Sequence, residues 1–136
     1  RAQHVATVIE PALSRGQWVL CDRFTEASYA YQGGGRQLGE DKVAVLEKLV
    51  QGSLRPDLTI LLDLDPTIGL GRTRGRSFQD RFEVEQADFF ERAREAYQKL
   101  SERHPERIVL VNAEPDQHTV LQAAKAALEE RMAAWT

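Results

Sequence analysis

The sequence of 136 residues has little of several features that would point to an extracellular or membrane protein. Its single cysteine, Cys21, excludes an internal disulfide, and a position within an apolar run is typical of a buried, unreactive thiol. No apolar run approaches the roughly 20 residues that a membrane-spanning helix needs, and nothing resembles a signal peptide. We therefore expect a cytoplasmic protein that does not bind membranes.

Strong positive charge, metal-binding clusters and phosphate-binding loops are also lacking. The formal net charge is −3, which argues against nucleic acid as a partner. The sequence has no Cys/His cluster of the kind that holds a metal, and no G-x-x-x-x-G-K-[ST] loop to cradle phosphates. Any anionic ligand must therefore be held by local arginines.

What the sequence does contain is an alternation of apolar runs and helical patterns, which predicts an α/β fold with a parallel sheet flanked by helices. A hydrophobic share of 42% and the absence of repeats or linkers indicate one domain over residues 1–136. Continuous apolar runs predict three buried strands, at residues 18–21, 58–64 and 108–111. The spacing of apolar residues predicts helices at residues 1–15, 24–32, 40–51, 84–104 and 116–135.

Local signals mark the ends and the buried faces of several helices. Gly16 is expected to cap the first helix, and Pro11 within that helix implies a kink or a break. The step Asp65-Pro66-Thr67 is a credible helix start with an aspartate cap. In the helix over residues 40–51, the side chains expected to point inward are Val43, Leu46, Leu49 and Val50.

The most informative stretch runs from Trp18 to Arg36. Asp22 and Arg23 directly follow the first predicted strand, which is where ligands bind in an open α/β sheet. An arginine offers a planar fork of donors suited to phosphate, and the carboxylate can orient that fork or accept a proton. The glycine run at 33–35 permits backbone conformations closed to other residues, so both a flexible turn and a direct ligand contact stay open for it.

A second stretch, residues 69–83, is rich in arginine and glycine. Its arginines could stabilise the negative charge that spreads over a transferring phosphoryl group. Its glycines would let the segment move as a closing lid must. A basic loop exposed to solvent is the alternative interpretation of the four arginines, which are Arg72, Arg74, Arg76 and Arg81.

The two stretches together resemble the thymidylate kinase family. The resemblance lies in Asp22-Arg23, in the Tyr-Gln-Gly-Gly-Gly-Arg segment at 31–36 and in the lid-like stretch 69–83. It implies a P-loop kinase fold, transfer of the γ-phosphoryl group of ATP to dTMP with Mg²⁺, and a homodimer packed through helices. The family's phosphate loop and first strand are expected upstream of Arg1. The chain would then be the C-terminal two-thirds of such an enzyme and would lack most of its activity alone.

The resemblance also implies roles on the acceptor side. Arg23 should hold the phosphate of dTMP with help from Asp22. Arg1 should contact the thymine base, although a side chain frayed into solvent is the alternative for a terminal residue. The remaining residues expected in the dTMP pocket are Ser28, Tyr31 and Gln32, and for Tyr31 simple packing in the core stays open.

On the donor side, the resemblance implies that the lid supplies the catalytic arginine. Arg76 is the first choice and Arg72 the second, and both should also contact ATP. Ala113, in the turn after the last predicted strand, should contact the adenine through its backbone. The strand-end residues Asp63 and Asp65 are expected to be structural, so we predict no metal ligand in this chain.

Two other functions stay open at this point. A deoxynucleoside kinase, or another nucleotide kinase, could carry the same Asp-Arg pair after a strand. A non-catalytic fragment could serve only as a folding or dimerisation module. The apolar stripes of the first and third helical segments could supply the dimer surface, but the sequence does not decide which helices pair.

Overall fold

The computed structural model describes residues 1–73 and 80–135, with side chains described over 1–72 and 86–135. Helices predominate, and two helical segments have the wider π-helical turn. The elements in chain order are α1 (Ala2–His4), π1 (Val5–Ile9), α2 (Glu10–Ser14), α3 (Thr25–Ser28), π2 (Tyr29–Gly35), α4 (Glu40–Gln51), β1 (Thr59–Asp63), α5 (Pro66–Thr73), α6 (Asp80–Arg103), β2 (Ile108–Asn112) and α7 (Gln117–Trp135).

The strands β1 and β2 pair in parallel, with Thr59 opposite Ile108 and Asp63 opposite Asn112. Both strands were predicted from their apolar runs, and both predictions are confirmed. The connection between them runs through α5 and α6, and the helices α6 and α7 both pack against β2. Because the two strands run in the same direction, Asp63 and Asn112 end side by side at one edge of the sheet.

The predicted strand at residues 18–21 is wrong for this structure. In the described part of the chain, β1 and β2 pair only with each other, and residues 17–21 have no regular structure. Leu20 is fully exposed, and the exposed Trp18 packs against Trp135 with ring centroids 5.8 Å apart. An apolar run becomes a strand only where a neighbour supplies partners for its backbone N–H and C=O groups.

The first helical region, residues 2–14, agrees with its prediction in extent. Val5 and Ile9 are buried, and Gly16 closes the region with a left-handed φ of 70°, as expected for a C-terminal cap. Pro11 lies near the start of α2, and the residues before it, Ile9 and Glu10, keep helical φ and ψ angles. The helical backbone therefore passes from π1 into α2 at this proline without a break.

The helix α4 has the predicted bounds, but the predicted inward face is only partly right, with Val50 half-buried. Val43 is buried as expected, whereas Leu46 and Leu49 are 53% and 81% exposed. The inward positions four residues apart are Val43, Glu47 and Gln51. The Tyr29 hydroxyl donates a 2.7 Å hydrogen bond to the Glu47 carboxylate. The Thr25 hydroxyl donates to the side-chain oxygen of Gln51. Polar contacts to α3 and π2 thus set the rotation of α4.

The centre of the fold is the packing of π2 against α6. Ala30, Ala93 and Ala96 form the buried cluster between these two helices. A Cβ added to Gly34 would lie 2.8 Å from the Ala96 Cβ and 2.9 Å from the Arg92 carbonyl oxygen. The flexible turn considered for the glycine run is therefore wrong: Gly33 to Gly35 are helical, and Gly34 lets two helices approach closely. A ligand contact stays a prediction.

Arg94 fastens α6 to the carboxyl end of β1. Its Nε and Nη2 donate to the two oxygens of Asp63, each at 2.8 Å, and its Nη1 reaches Asp65 at 3.3 Å. The hydrogen bonds from Arg94 hold the pKa of Asp63 below its usual value. Asp65 also accepts from the backbone N–H of Thr67 at 2.8 Å, which confirms the predicted cap of α5.

We predict opposite effects for alanine at two adjacent glycines. Gly34→Ala should lower the free energy of unfolding by about 1–3 kcal/mol, because its methyl group would overpack against α6. Gly33→Ala is the matched control, since its Cβ would come no closer than 3.6 Å to Val43. It should raise stability by up to about 1 kcal/mol, as alanine does in a helix. Urea unfolding measures both, and equal effects would contradict the packing role of Gly34.

We also predict that Asp63 contributes to acid unfolding. A carboxylate whose pKa is lowered by folding stabilises the protein above its unfolded pKa of about 3.9, and that contribution is lost as the pH falls through the lower folded pKa. Asp63→Asn should therefore reduce stability near pH 7 and flatten its decline between about pH 5 and pH 2. Glu95→Gln, at an exposed pair with Lys99, should change the profile little. Parallel wild-type and Asp63→Asn profiles would contradict this role.

Candidate functional site

Arg23 is held in an unusual conformation beside an aromatic ring. Its φ is 64°, in the left-handed region, although it is not a glycine. Such a conformation costs roughly 1–2 kcal/mol and persists where neighbouring contacts enforce it. The Arg23 carbonyl accepts a 3.3 Å hydrogen bond from the Cys21 thiol, and its guanidinium carbon lies 5.3 Å from the centre of the Tyr31 ring. The exposed guanidinium of Arg23 therefore lies against the Tyr31 ring.

Arg1 is anchored rather than frayed. Its Nη1 donates to the Ser28 hydroxyl at 2.7 Å, and its Nη2 donates to the Phe24 carbonyl oxygen at 3.1 Å. The guanidinium carbon also lies 5.3 Å from the centre of the Phe24 ring. Two residues predicted for the same pocket, Arg1 and Ser28, are therefore in direct contact.

Tyr31 belongs both to the core and to the candidate site. Its half-buried ring packs between Phe89 at 5.9 Å and Tyr97 at 6.1 Å, with the Tyr97 contact edge-on. Burial raises the pKa of Tyr97 to about 12. Core packing and a place beside Arg23 are thus compatible for Tyr31. The other two predicted residues are Asp22, next to Arg23 in the sequence, and Gln32, next to Tyr31. Both are exposed to solvent.

A second cluster lies at the carboxyl edge of the sheet. Arg72 of α5 donates to the Ala113 carbonyl oxygen at 3.0 Å and also to the carbonyl oxygen of Glu114. The structure therefore brings together Arg72 and Ala113, two of the residues predicted on the donor side. Because backbone carbonyls carry no net charge, they leave the positive charge of Arg72 available to an anion. Arg76, the first choice for the catalytic arginine, lies outside the described residues.

Clusters of side chains hold metal ions in proteins. Among the described residues, no group of three His, Cys, Asp or Glu side chains is placed to hold a metal ion. Asp63 and Asp65 are the carboxylates nearest the sheet edge, and both are bonded to Arg94. Their chemistry is that of a structural ion pair, and it does not fit direct coordination of Mg²⁺.

Sequence reasoning missed the arginines that hold these elements in place. Arg92 donates to the Gly35 carbonyl oxygen through Nε at 3.2 Å and Nη2 at 3.1 Å. Arg107, just before β2, forms a buried ion pair with Glu26 of α3. The spacing of Arg92 and Arg94 in α6 carried no signal beyond a polar helix face, because their partners are distant in sequence.

The sequence of this chain is similar to those of known proteins. A family model described as thymidylate kinase matches residues 1–124. The chain is 52% identical over 136 aligned positions to the thymidylate kinase of Alkalilimnicola ehrlichii, covering 99% of this chain and 63% of that protein. It is 55% identical over 113 positions to the thymidylate kinase of Teredinibacter turnerae, covering 83% of this chain and 55% of that protein.

The fold has a solved counterpart. The crystal structure of thymidylate kinase from Ehrlichia chaffeensis superposes with a TM-score of 0.73 at 24% identity, covering 95% of this chain and 60% of that one. Together with the parallel pair of strands, this likeness confirms the predicted P-loop kinase fold class. The chain spans between half and two-thirds of the length of these relatives.

No helix in the described part of the chain is long and apolar enough to cross a membrane. The match of the family model and the identity to curated relatives show that the chain belongs to the thymidylate kinase family.

Proposed function

We propose that this chain supplies the acceptor pocket, the lid and the adenine-side turn of a dTMP kinase. The reaction transfers the γ-phosphoryl group of ATP to a phosphate oxygen of dTMP and yields dTDP. The observation that carries the proposal is the exposed guanidinium of Arg23, held over the Tyr31 ring by a left-handed backbone. An aromatic ring orients the cation without neutralising it, so the charge is available to a phosphate.

On the acceptor side, each residue has a defined task. Arg23 donates to the phosphate of dTMP, and Asp22 orients its guanidinium. The Tyr31 ring lies beneath the deoxyribose, where a sugar without a 2′-hydroxyl leaves room for it. Arg1 contacts the thymine base with donors that are already positioned through Ser28. Gln32 borders the same pocket from the exposed face of π2.

On the donor side, the residues surround ATP. Ala113 contacts the adenine through its backbone, and Arg72 lies against the same turn. Arg76 is the proposed catalytic arginine, with Arg72 as the second choice, and the stretch 69–83 acts as the lid. Mg²⁺ bound to ATP would neutralise part of the phosphate charge. Arginines around the transferring group then stabilise its remaining negative charge. A cytoplasmic location accompanies this proposal because ATP is abundant there.

We further propose that two copies of this chain associate as a homodimer through helices. The outer face of α4 exposes Val45, Leu46 and Leu49, three apolar side chains within one and a half turns. The first helical region exposes Val8 and Leu13 in the same way. Apolar residues grouped on helix faces are commonly covered in an assembly, and both stripes were candidates from the sequence.

Calorimetric titration with dTMP tests the proposed function directly. The folded chain should bind dTMP at least about tenfold more tightly than thymidine, because charge-assisted hydrogen bonds to the phosphate contribute about 1.5–3 kcal/mol. Arg23→Ala should remove this preference. Arg23→Gly should remove it too, yet be about 1 kcal/mol more stable than Arg23→Ala, since glycine accepts a positive φ.

The other outcomes of this titration identify the competing functions. Equal affinity for thymidine and dTMP would contradict phosphate recognition and favour a deoxynucleoside kinase. No heat from either ligand, in a sample that circular dichroism shows to be folded, would favour the non-catalytic module.

Sedimentation velocity tests the proposed dimer. Leu49→Lys should weaken self-association by about tenfold or more, because it places a charge in the proposed apolar contact. Leu121→Lys is the matched control, since Leu121 is also exposed but lies on α7. If only Leu121→Lys dissociates the dimer, the interface lies on α7 and not on α4. If the wild-type chain stays monomeric at high concentration, there is no dimer.

A further inference from the structure

The ring of Phe89 holds Tyr31 from the side of α6. The two ring centroids are 5.9 Å apart with an interplanar angle of 39°. Phe89 in turn packs edge-on against Phe90 at 5.3 Å, so its ring has contacts on both sides. Tyr97, two turns further along α6, supports Tyr31 from a second direction. The Tyr31 ring is therefore contacted by two rings of α6, which restrict its tilt.

The position of Arg23 depends on that tilt. The guanidinium carbon of Arg23 lies 5.3 Å from the Tyr31 ring centroid, within the range of a cation–π contact. A continuous series of contacts thus leads from Phe89 through Tyr31 to the guanidinium of Arg23. The Phe89 ring is therefore one contact removed from the guanidinium of Arg23.

Gly35 leaves the space that the Phe89 ring occupies. A Cβ at Gly35 would lie 2.5 Å from Cε2 of Phe89 and 2.9 Å from its Cδ2 and Cζ. These distances are far below van der Waals contact, so the ring would have to move. The backbone cannot easily retreat instead, because Arg92 donates two hydrogen bonds to the Gly35 carbonyl oxygen.

We propose that Phe89 is a positioning residue for the acceptor phosphate, and that Gly35 and Arg92 fix the place where its ring lies. The inference rests on the proposed function, because it assigns Phe89 a role in placing Arg23 against dTMP. Phe89 itself touches no ligand in this account. It acts through the Tyr31 ring, and its effect falls on recognition of the phosphate.

The first experiment compares Phe89→Leu with Phe90→Leu by calorimetry. Phe89→Leu should lower the ratio of dTMP affinity to thymidine affinity about two- to fivefold, which corresponds to losing an ordered cation–π contact. Phe90→Leu removes a ring of the same size that contacts Phe89 but has no ring contact with Tyr31, so it should lower that ratio less than Phe89→Leu does. A merely structural role would weaken both ligands equally. An unchanged ratio in Phe89→Leu would overturn the proposal.

The second experiment uses the glycine run. Gly35→Ala should lower the same ratio, whereas Gly33→Ala should not. Combining Gly35→Ala with Phe89→Leu should give a loss no greater than Phe89→Leu alone, because the methyl group then occupies space left by the ring. Additive losses in the double variant would show that Gly35 and Phe89 act separately, which overturns the proposal.

A readout without ligand separates this inference from the proposed function. The ring proton resonances of Tyr31 should shift in Gly35→Ala and in Phe89→Leu but stay in place in Gly33→Ala. If wild type binds no dTMP, the proposed function fails while these resonances still decide how Tyr31 is positioned. Unchanged Tyr31 resonances in Gly35→Ala would overturn the positioning role whatever the ligand data show.

Discussion

The close approach of π2 to α6 is the constraint on which the rest of this structure depends. Helix axes come this near only where side chains are small at the contact, and here Gly34 faces Ala96 and the backbone of α6. The approach buries Ala30 and Ala93 and leaves the Tyr31 ring wedged between two rings of α6. Since α6 begins at Asp80, within the lid-like stretch 69–83, one helix borders the proposed acceptor pocket and contributes to the proposed lid.

Several of the described arginines differ in the chemistry of their partners. Arg94 and Arg107 face carboxylates and hold distant elements together. The arginines predicted to meet ligands contact neutral groups: Arg1 a hydroxyl, Arg23 a ring and Arg72 backbone carbonyls. A carboxylate partner cancels charge, whereas a neutral one orients the guanidinium and leaves its charge for an anion. Arg92 also has a neutral partner, the Gly35 carbonyl oxygen, so the contrast supports the proposed roles only together with the sequence motifs.

Interpretation of the sequence succeeded where the signal was local. The bounds of α4, the cap at Asp65 and the strands β1 and β2 follow from spacing and turn residues a few positions apart. It failed where the outcome depends on a distant partner. Residues 18–21 have the apolar pattern of a strand, but they pair with no strand among the described residues. The rotation of α4 was set by Tyr29 and Thr25, whose polar contacts an apolar stripe does not predict.

For this protein, the sequence by itself determined the α/β class and the family resemblance, because motifs and periodicity are written along the chain. It also predicted which residues lie on the acceptor side. Only the tertiary structure decided that Arg1 meets Ser28, that Arg72 meets the turn at Ala113, and that the glycine run packs against a helix. Contacts between residues tens of positions apart arise from how whole elements pack. Their energetics depend on distances of a few tenths of an ångström, which no spacing rule contains.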